Sequence, residues 1–173
     1  MMYAQAVKCI SIPTESILFN IDIVSPSNKD RTVVLRVFAK MFYSHCGYYG
    51  DDLKVARLER FIDCQGKTEE FRQKFEEVNG GSWVETRDSF AFFEDDVVEV
   101  LQSVLGMSEQ AARNWFNGEE TNELSIAQLV SDIKEYVDGK GDKFRLLFMV
   151  DEVGQYIGDD GDLMINLQSL VEE

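Results

Sequence analysis

The sequence contains few of the residues from which disulfide scaffolds and metal centres are built. It has three cysteines, Cys9, Cys46 and Cys64, and one histidine, His45. An odd number of well-separated cysteines without a CxxC pair argues against a disulfide framework and against a structural zinc site. We therefore expect free thiols, as in a reducing compartment. Neighbouring residues of a helix point about 100° apart, so His45 and Cys46 would not face one substrate as a catalytic pair.

Long apolar runs are also missing. No stretch of the sequence approaches the roughly 20 consecutive apolar residues that a transmembrane helix requires. Residues 1–6 do not combine a basic region with an apolar one, so they do not resemble a signal peptide. We therefore expect a cytoplasmic protein without a membrane segment. With 45% apolar residues in a chain of 173, the composition suits one globular domain with a core, or one domain with a small appendage.

Positive charge is scarce in the second half of the chain. Residues 1–87 contain 12 Lys/Arg and 12 Asp/Glu, whereas residues 88–173 contain 5 and 20, so the whole net charge of −15 falls in the second half. An acidic surface repels phosphate backbones, and we expect no direct binding of nucleic acid by this region. The acidic half is either a solvated helical surface or a surface for a basic protein partner.

Hydrophobic periodicity predicts a mostly helical chain with two short strands. Residues 17–22 form a short apolar run between Pro13 and Pro26, which is typical of a buried strand. Residues 145–150 include five consecutive apolar residues, which predicts a strand buried on both faces of a parallel sheet. Apolar residues at helical spacing predict helices at residues 28–46, 53–64, 68–79, 95–105, 108–115, 125–137 and 160–173. Ser108 is a candidate N-cap, and Ser125 and Gln128 have the spacing of a capping box. Gly80 and Gly106 are expected to end the helices that precede them.

The strongest chemical motif is the second strand with the two carboxylates that follow it, from Leu146 to Glu152. An apolar strand that ends in Asp-Glu is the Walker B pattern of P-loop ATPases, because such a strand holds both carboxylates at the carboxyl edge of the sheet. In a complete ATPase, Asp151 would hold Mg²⁺ and Glu152 would orient and polarise the attacking water. The alternative is an ordinary buried strand with an acidic loop.

The phosphate cradle that Walker B requires, GxxxxGK[ST], is not encoded in these residues. The best match, Phe61 to Thr68, lacks the first glycine, and we interpret Gly66-Lys67-Thr68 as a turn between two helices. Lys140 has no Ser/Thr after it. In P-loop folds the cradle opens the helix before the next core strand, so we expect residues 3–9 to be the last turns of that helix.

Five segments share a sequence resemblance beyond the Walker B pattern, at residues 16–22, 47–51, 111–115, 151–160 and 163–173. Together they resemble the large P-loop ATPases of BREX phage-exclusion systems, the BrxC or PglY-like family. The resemblance spans nearly the whole chain, although the family proteins are several times longer.

The resemblance implies a role in antiphage defence, with ATP and Mg²⁺ as cofactors of the complete protein and with protein partners in a defence complex. It transfers the Walker B roles to Asp151 and Glu152 but assigns none to Gln155 and Tyr156. It also implies the fold, a partial P-loop α/β core with a large helical insertion. Residues 1–27 would contain the first core strand, residues 28–140 would form the insertion, and residues 141–173 would contain the Walker B strand and the helix that follows it. We expect this chain alone to be an inactive interior piece that binds neither cofactor tightly.

The other hypothesis is a helical protein-interaction module without nucleotide-dependent activity. Aromatic residues such as Trp83 and Trp115 would suit it if they are exposed, whereas core packing is the alternative for both. Under the ATPase hypothesis, strand edges and the apolar stripe Leu163, Leu167 and Leu170 would need covering, which predicts self-association.

Overall fold

The computed structural model describes residues 12–24, 32–117, 124–158 and 161–172. This part of the chain is mostly helical and contains a two-stranded parallel sheet, as predicted. The elements in chain order are β1 (Thr14–Asn20), α1 (Ile21–Val24), α2 (Val33–His45), α3 (Leu53–Cys64), α4 (Thr68–Asn79), α5 (Trp83–Thr86), a 3₁₀ helix (Arg87–Phe93), α6 (Glu94–Leu105), α7 (Glu109–Asn117), α8 (Ile126–Lys140), β2 (Arg145–Asp151), α9 (Val153–Ile157) and α10 (Gly161–Glu172).

The chain divides into two compact units. The described parts of residues 1–42 and 124–173 form the first, which we call the sheet unit, and residues 43–123 contain the second, the helical unit. The predicted division at residues 27 and 140 refers to a complete ATPase, and it stays a prediction. Residues 3–9, which we expect to be the last turns of a helix, lie outside the described residues. The side chains of Leu163 and Leu170, two members of the predicted apolar stripe, lie outside the described part as well.

In the sheet unit, β1 and β2 pair in parallel from Thr14 opposite Arg145 to Asn20 opposite Asp151. The strand β1 begins directly after Pro13 and ends earlier than predicted. Asn20 Oδ1 accepts a hydrogen bond of 3.0 Å from the amide of Asp22, and this turn leads from the strand into α1. The predicted strand at residues 17–22 is therefore observed three residues earlier at its start and two residues earlier at its end.

One face of the sheet is packed and the other is exposed. Ile17 and Phe19 are buried, and the ring of Phe38 on α2 lies 5.4 Å from the rings of both Phe19 and Phe148. The side chains of Leu18, Leu147 and Met149 point to the opposite face, where they are 69%, 47% and 52% exposed. We call these three residues the bare face. The prediction that β2 is buried on both faces is wrong, because side chains alternate across a strand and the described helices cover one face.

The helix α8 is fixed to both the sheet and α2. Its N-cap is Ser125, whose side chain accepts a hydrogen bond of 3.1 Å from the amide of Gln128, as the capping-box spacing predicted. The ring of Tyr136 contacts that of Phe42 on α2 edge to face at 5.8 Å. Its hydroxyl donates a hydrogen bond of 2.6 Å to Glu15 on β1. The hydrogen bond therefore ties α8 to β1, and the aromatic contact ties it to α2.

The helical unit is built around Trp83. Its ring lies 5.1 Å from the rings of Phe71 and Phe75 and 6.3 Å from that of Phe90, in each case edge to face. Trp83 is 2% exposed, so it is a core residue and offers no ring to a partner. Trp115 is partly buried against Phe61, with the ring centres 5.3 Å apart. Core packing is therefore the correct interpretation for Trp83. Trp115 is also packed against the core, although it is only partly buried.

Helix ends in the helical unit follow the predicted signals. Gly80 and Gly106 end α4 and α6 with φ values of 83° and 64°, a left-handed conformation that favours glycine. Ser108 accepts a hydrogen bond of 3.2 Å from the amide of Ala111 at the start of α7. Arg113 on α7 donates a hydrogen bond of 2.9 Å to Glu94 on α6, which joins the two helices.

Candidate functional site

Three polar residues meet at the edge of the sheet where both strands end. Asn20 and Asp151 are register partners at the carboxyl ends of β1 and β2, and Glu152 follows Asp151 directly. We call these three residues the carboxyl edge. Open α/β sheets bind ligands at such an edge, because the strands end there and the following turns leave a crevice. The structure therefore places both predicted carboxylates at the carboxyl end of a parallel strand pair.

Glu152 has an unusual backbone conformation. Its φ of 61° and ψ of 20° are left-handed, and among the described residues it is the one non-glycine with a positive φ. The amide of Glu152 donates a hydrogen bond of 2.9 Å to Asp151 Oδ1, and its carbonyl accepts one of 2.9 Å from the amide of Tyr156. This conformation costs a non-glycine residue roughly 1 to 3 kcal/mol, and such strain is concentrated at functional sites.

Both carboxylates are exposed, and Asp151 uses one oxygen to hold the turn. Within the described residues, no side chain bonds to the Glu152 carboxylate, and no group of three or more His, Cys, Asp or Glu side chains is placed to hold a metal ion. Mg²⁺ in nucleotide sites is commonly held by one or two carboxylates together with phosphate oxygens and water. Asp151 fits such a partial ligand set, and it would hold the ion weakly without a nucleotide.

The residues after Glu152 have a structural role. Tyr156 is buried in α9, which packs against α1, so the segment after Glu152 anchors the turn to the sheet unit. Gln155 on the same helix is exposed. Sequence analysis assigned a role to neither residue. Burial gives Tyr156 a structural role, because its side chain holds in place the helix that follows the strained turn.

The two lysines considered as cradle residues, Lys67 and Lys140, each form an ion pair with a glutamate. Gly66-Lys67-Thr68 connects α3 to α4, which confirms the predicted helix-to-helix turn. Lys67 pairs with Glu70, and the Thr68 hydroxyl donates a hydrogen bond of 2.8 Å to Asp63. Lys140 donates to Glu15 at 3.2 Å and lies 4.8 Å from the ring centre of Tyr136.

The helical unit contains a buried charge that sequence reasoning missed. Glu59 is 8% exposed, and its carboxylate accepts hydrogen bonds from the Tyr49 amide at 2.6 Å, Trp83 Nε1 at 2.8 Å and Arg87 at 2.8 Å. The Arg87 guanidinium also lies 5.0 Å from the ring centre of Tyr49. A signal was available, because Glu59 interrupts the apolar stripe of α3 that includes Val55 and Ile62.

A cavity of about 220 Å³ lies beside this buried charge. Glu59 and Trp83 form part of its wall, and so do Tyr48 and Asp63, which are joined by a hydrogen bond of 2.8 Å from the phenol to the carboxylate. Burial, followed by this hydrogen bond, raises the pKa of Tyr48 above its usual value. The phenol therefore stays protonated at neutral pH and remains a donor to Asp63.

Comparison with known proteins identifies no family for this chain. No protein-family model matches the sequence, and no solved structure matches the fold. The resemblance to the BREX ATPases therefore rests on the quoted residues alone. In the part of the chain that the structure describes, no helix is both long enough and apolar enough to cross a membrane.

Proposed function

We propose that this chain contributes the Walker B half of an ATP site in a P-loop ATPase of the BREX antiphage-defence type. The observation that carries the proposal is the parallel pairing of β1 and β2, with Asn20 and Asp151 side by side at the carboxyl edge and Glu152 on the strained turn that follows. In this proposal Asp151 holds Mg²⁺, and Glu152 orients the attacking water. When bound, the ion would neutralise charge that develops on the transferred phosphoryl group.

The exposure of the bare face favours the proposal that further elements pack around the sheet. Parallel sheets are normally covered on both faces, whereas Leu18, Leu147 and Met149 remain exposed here. A P-loop core would cover this face with further helices and would extend the sheet beside β1 or β2. We propose that other parts of the ATPase or protein partners in its complex provide this cover, and that the acidic chain itself binds no nucleic acid.

These 173 residues supply no phosphate cradle, so we propose that the chain alone neither hydrolyses ATP nor binds it tightly. Mg-ATP should not raise the melting temperature of the purified chain, since one exposed carboxylate gives the ion too few ligands. Steady phosphate release by the purified chain that disappears in the Glu152→Gln variant would contradict this part of the proposal, because a contaminating ATPase would not respond to that substitution.

The test of the Walker B assignment is phosphate release by the complete ATPase or complex that contains these residues. We expect Glu152→Gln and Asp151→Asn each to lower turnover at least about a hundredfold, as loss of a catalytic carboxylate does. Asp142→Asn is the matched control, because Asp142 is exposed in the turn before β2, at the opposite end of the strand. Unchanged turnover in both site variants would overturn the assignment.

A second candidate function, a helical protein-interaction module, is favoured by the exposure of Phe92. This residue is 87% exposed in the 3₁₀ helix of the helical unit, beside the acidic first turn of α6. Under this hypothesis a basic partner with an apolar pocket receives the ring. Binding of the protein's partner would then be lost in Phe92→Ala and retained in Asp151→Asn, which is the reverse of the pattern expected for ATP turnover.

A further inference from the structure

The cavity in the helical unit has an apolar floor. Ile62 of α3, Phe71 of α4 and Trp83 of α5 line it, and each side chain is almost completely buried in the core. An apolar cavity of about 150 Å³ is large enough to hold benzene. The cavity here, at about 220 Å³, therefore has room for an aliphatic side chain together with a few polar atoms.

Asp63 provides an oriented negative charge on the wall of this cavity. Its Oδ2 accepts a hydrogen bond of 2.8 Å from the Tyr48 hydroxyl, and its Oδ1 accepts one of 2.8 Å from the Thr68 hydroxyl. Both partners are neutral, and no lysine or arginine in the described residues forms an ion pair with Asp63. Each carboxylate oxygen has a second lone pair, so the group can accept further hydrogen bonds. The two hydroxyls fix the carboxylate in place before any ligand arrives.

Arg72 provides a positive charge on the same wall. Its guanidinium donates a hydrogen bond of 3.1 Å to Glu69, one turn earlier on α4, in a surface pair of the kind that stabilises little. Although Arg72 and Asp63 line one cavity, these two described residues form no ion pair with each other. The other charged group on the wall, Glu59, is already compensated by Arg87 at 2.8 Å.

Two residues of opposite charge thus line one cavity with an apolar floor, and they form no ion pair with each other. We propose that the helical unit binds a free α-amino acid with an apolar side chain. The ammonium group of the ligand pairs with Asp63, its carboxylate pairs with Arg72, and its side chain packs against Ile62, Phe71 and Trp83. This site lies within residues 43–123 and is independent of the Walker B assignment.

The probe for this site is L-leucine, compared with the two analogues that each lack one charge, 3-methylbutylamine and 4-methylpentanoate. Binding is measured by NMR from the indole N–H resonance of Trp83, which lines the cavity, with that of Trp115 as an internal reference. We expect L-leucine to bind with a Kd on the order of 0.1 to 1 mM, as befits a ligand of this size. Each analogue should bind about tenfold more weakly, because it lacks one charge-assisted contact.

Two variants test the assigned contacts. Asp63→Asn and Arg72→Gln should each weaken leucine binding about tenfold, whereas Lys74→Gln should leave it unchanged. Lys74 is the matched control because it forms an equivalent surface pair with Glu77 on α4 but does not line the cavity. The proposal is overturned if leucine leaves the Trp83 resonance unmoved up to about 10 mM, a concentration well above the expected Kd. It is also overturned if either analogue binds as tightly as leucine, or if leucine binds either site variant as tightly as it binds the unmodified chain.

Discussion

Replacing Glu59 by glutamine should destabilise the helical unit by about 2 to 4 kcal/mol. The glutamine keeps the size of the side chain but removes its charge, and its amide cannot satisfy all three donors at once. Arg87 would then lose its ion pair while remaining largely buried, and one of the Trp83 or Tyr49 donors would lose its acceptor. Removing one partner of a buried pair costs about 3 to 5 kcal/mol when both groups are fully buried. The estimate is lower here because the Arg87 side chain is 18% exposed.

Urea denaturation followed by tryptophan fluorescence measures this effect selectively. The sequence has two tryptophans, and both lie in the helical unit, so the signal reports the unfolding of that unit. Glu69→Gln is the control, because Glu69 pairs with Arg72 while its side chain is 77% exposed, and its loss should cost less than about 0.5 kcal/mol. Combining Glu59→Gln with Arg87→Met should cost less than the sum of the single changes. Equal effects of Glu59→Gln and Glu69→Gln would refute this reasoning.

Three further predictions concern other parts of the molecule. Glu152→Gly should raise the free energy of opening of β2, measured by amide hydrogen exchange, by about 0.5 kcal/mol, because glycine adopts the left-handed conformation without strain. The control, Lys134→Gly in the middle of α8, should destabilise α8 by about 1 kcal/mol. Faster exchange of β2 amides in Glu152→Gly would contradict the assigned strain. The raised pKa of Tyr48 means that the unfolded phenol ionises first, so this contribution to stability is present below about pH 10 and is lost as pH rises beyond it. In denaturation experiments above about pH 10, the free energy of unfolding should therefore fall less in Tyr48→Phe than in the unmodified chain. The same pH dependence in both proteins would refute the assigned role of Tyr48. Light scattering coupled to size exclusion should give a mass above the 19.8 kDa of the monomer. Leu18→Lys on the bare face should give a monomer, whereas the control Ala127→Lys on α8 should not. A monomeric unmodified chain would contradict self-association.

Local sequence signals predicted most of the helices and their ends. The caps at Ser108 and Ser125 and the stops at Gly80 and Gly106 depend on interactions within a few residues, so they can be inferred without knowledge of tertiary contacts. The parallel pairing of the two strands was also predicted correctly, because two apolar runs separated by helices favour a crossover connection.

The failures concern long-range packing. The continuous apolar run of β2 suggested burial on both faces, yet its alternate side chains are exposed, because no property of the strand itself determines how many helices cover it. The buried network of Glu59 joins residues separated by 10, 24 and 28 positions, and no local pattern shows which donors will meet the carboxylate. The positions of Asp151 and Glu152 were easier to predict, since a strand end places the following residues at the sheet edge.

The most direct test of the central claim separates the two carboxylates by their roles in the complete ATPase. Equilibrium binding of ATP is measured with and without Mg²⁺, together with turnover, for Asp151→Asn and Glu152→Gln. If Asp151 holds the ion and Glu152 orients water, Glu152→Gln should bind Mg-ATP normally without hydrolysing it, and Asp151→Asn should lose the part of the affinity that depends on Mg²⁺. Identical behaviour of the two variants, or normal turnover in Glu152→Gln, would contradict the Walker B assignment.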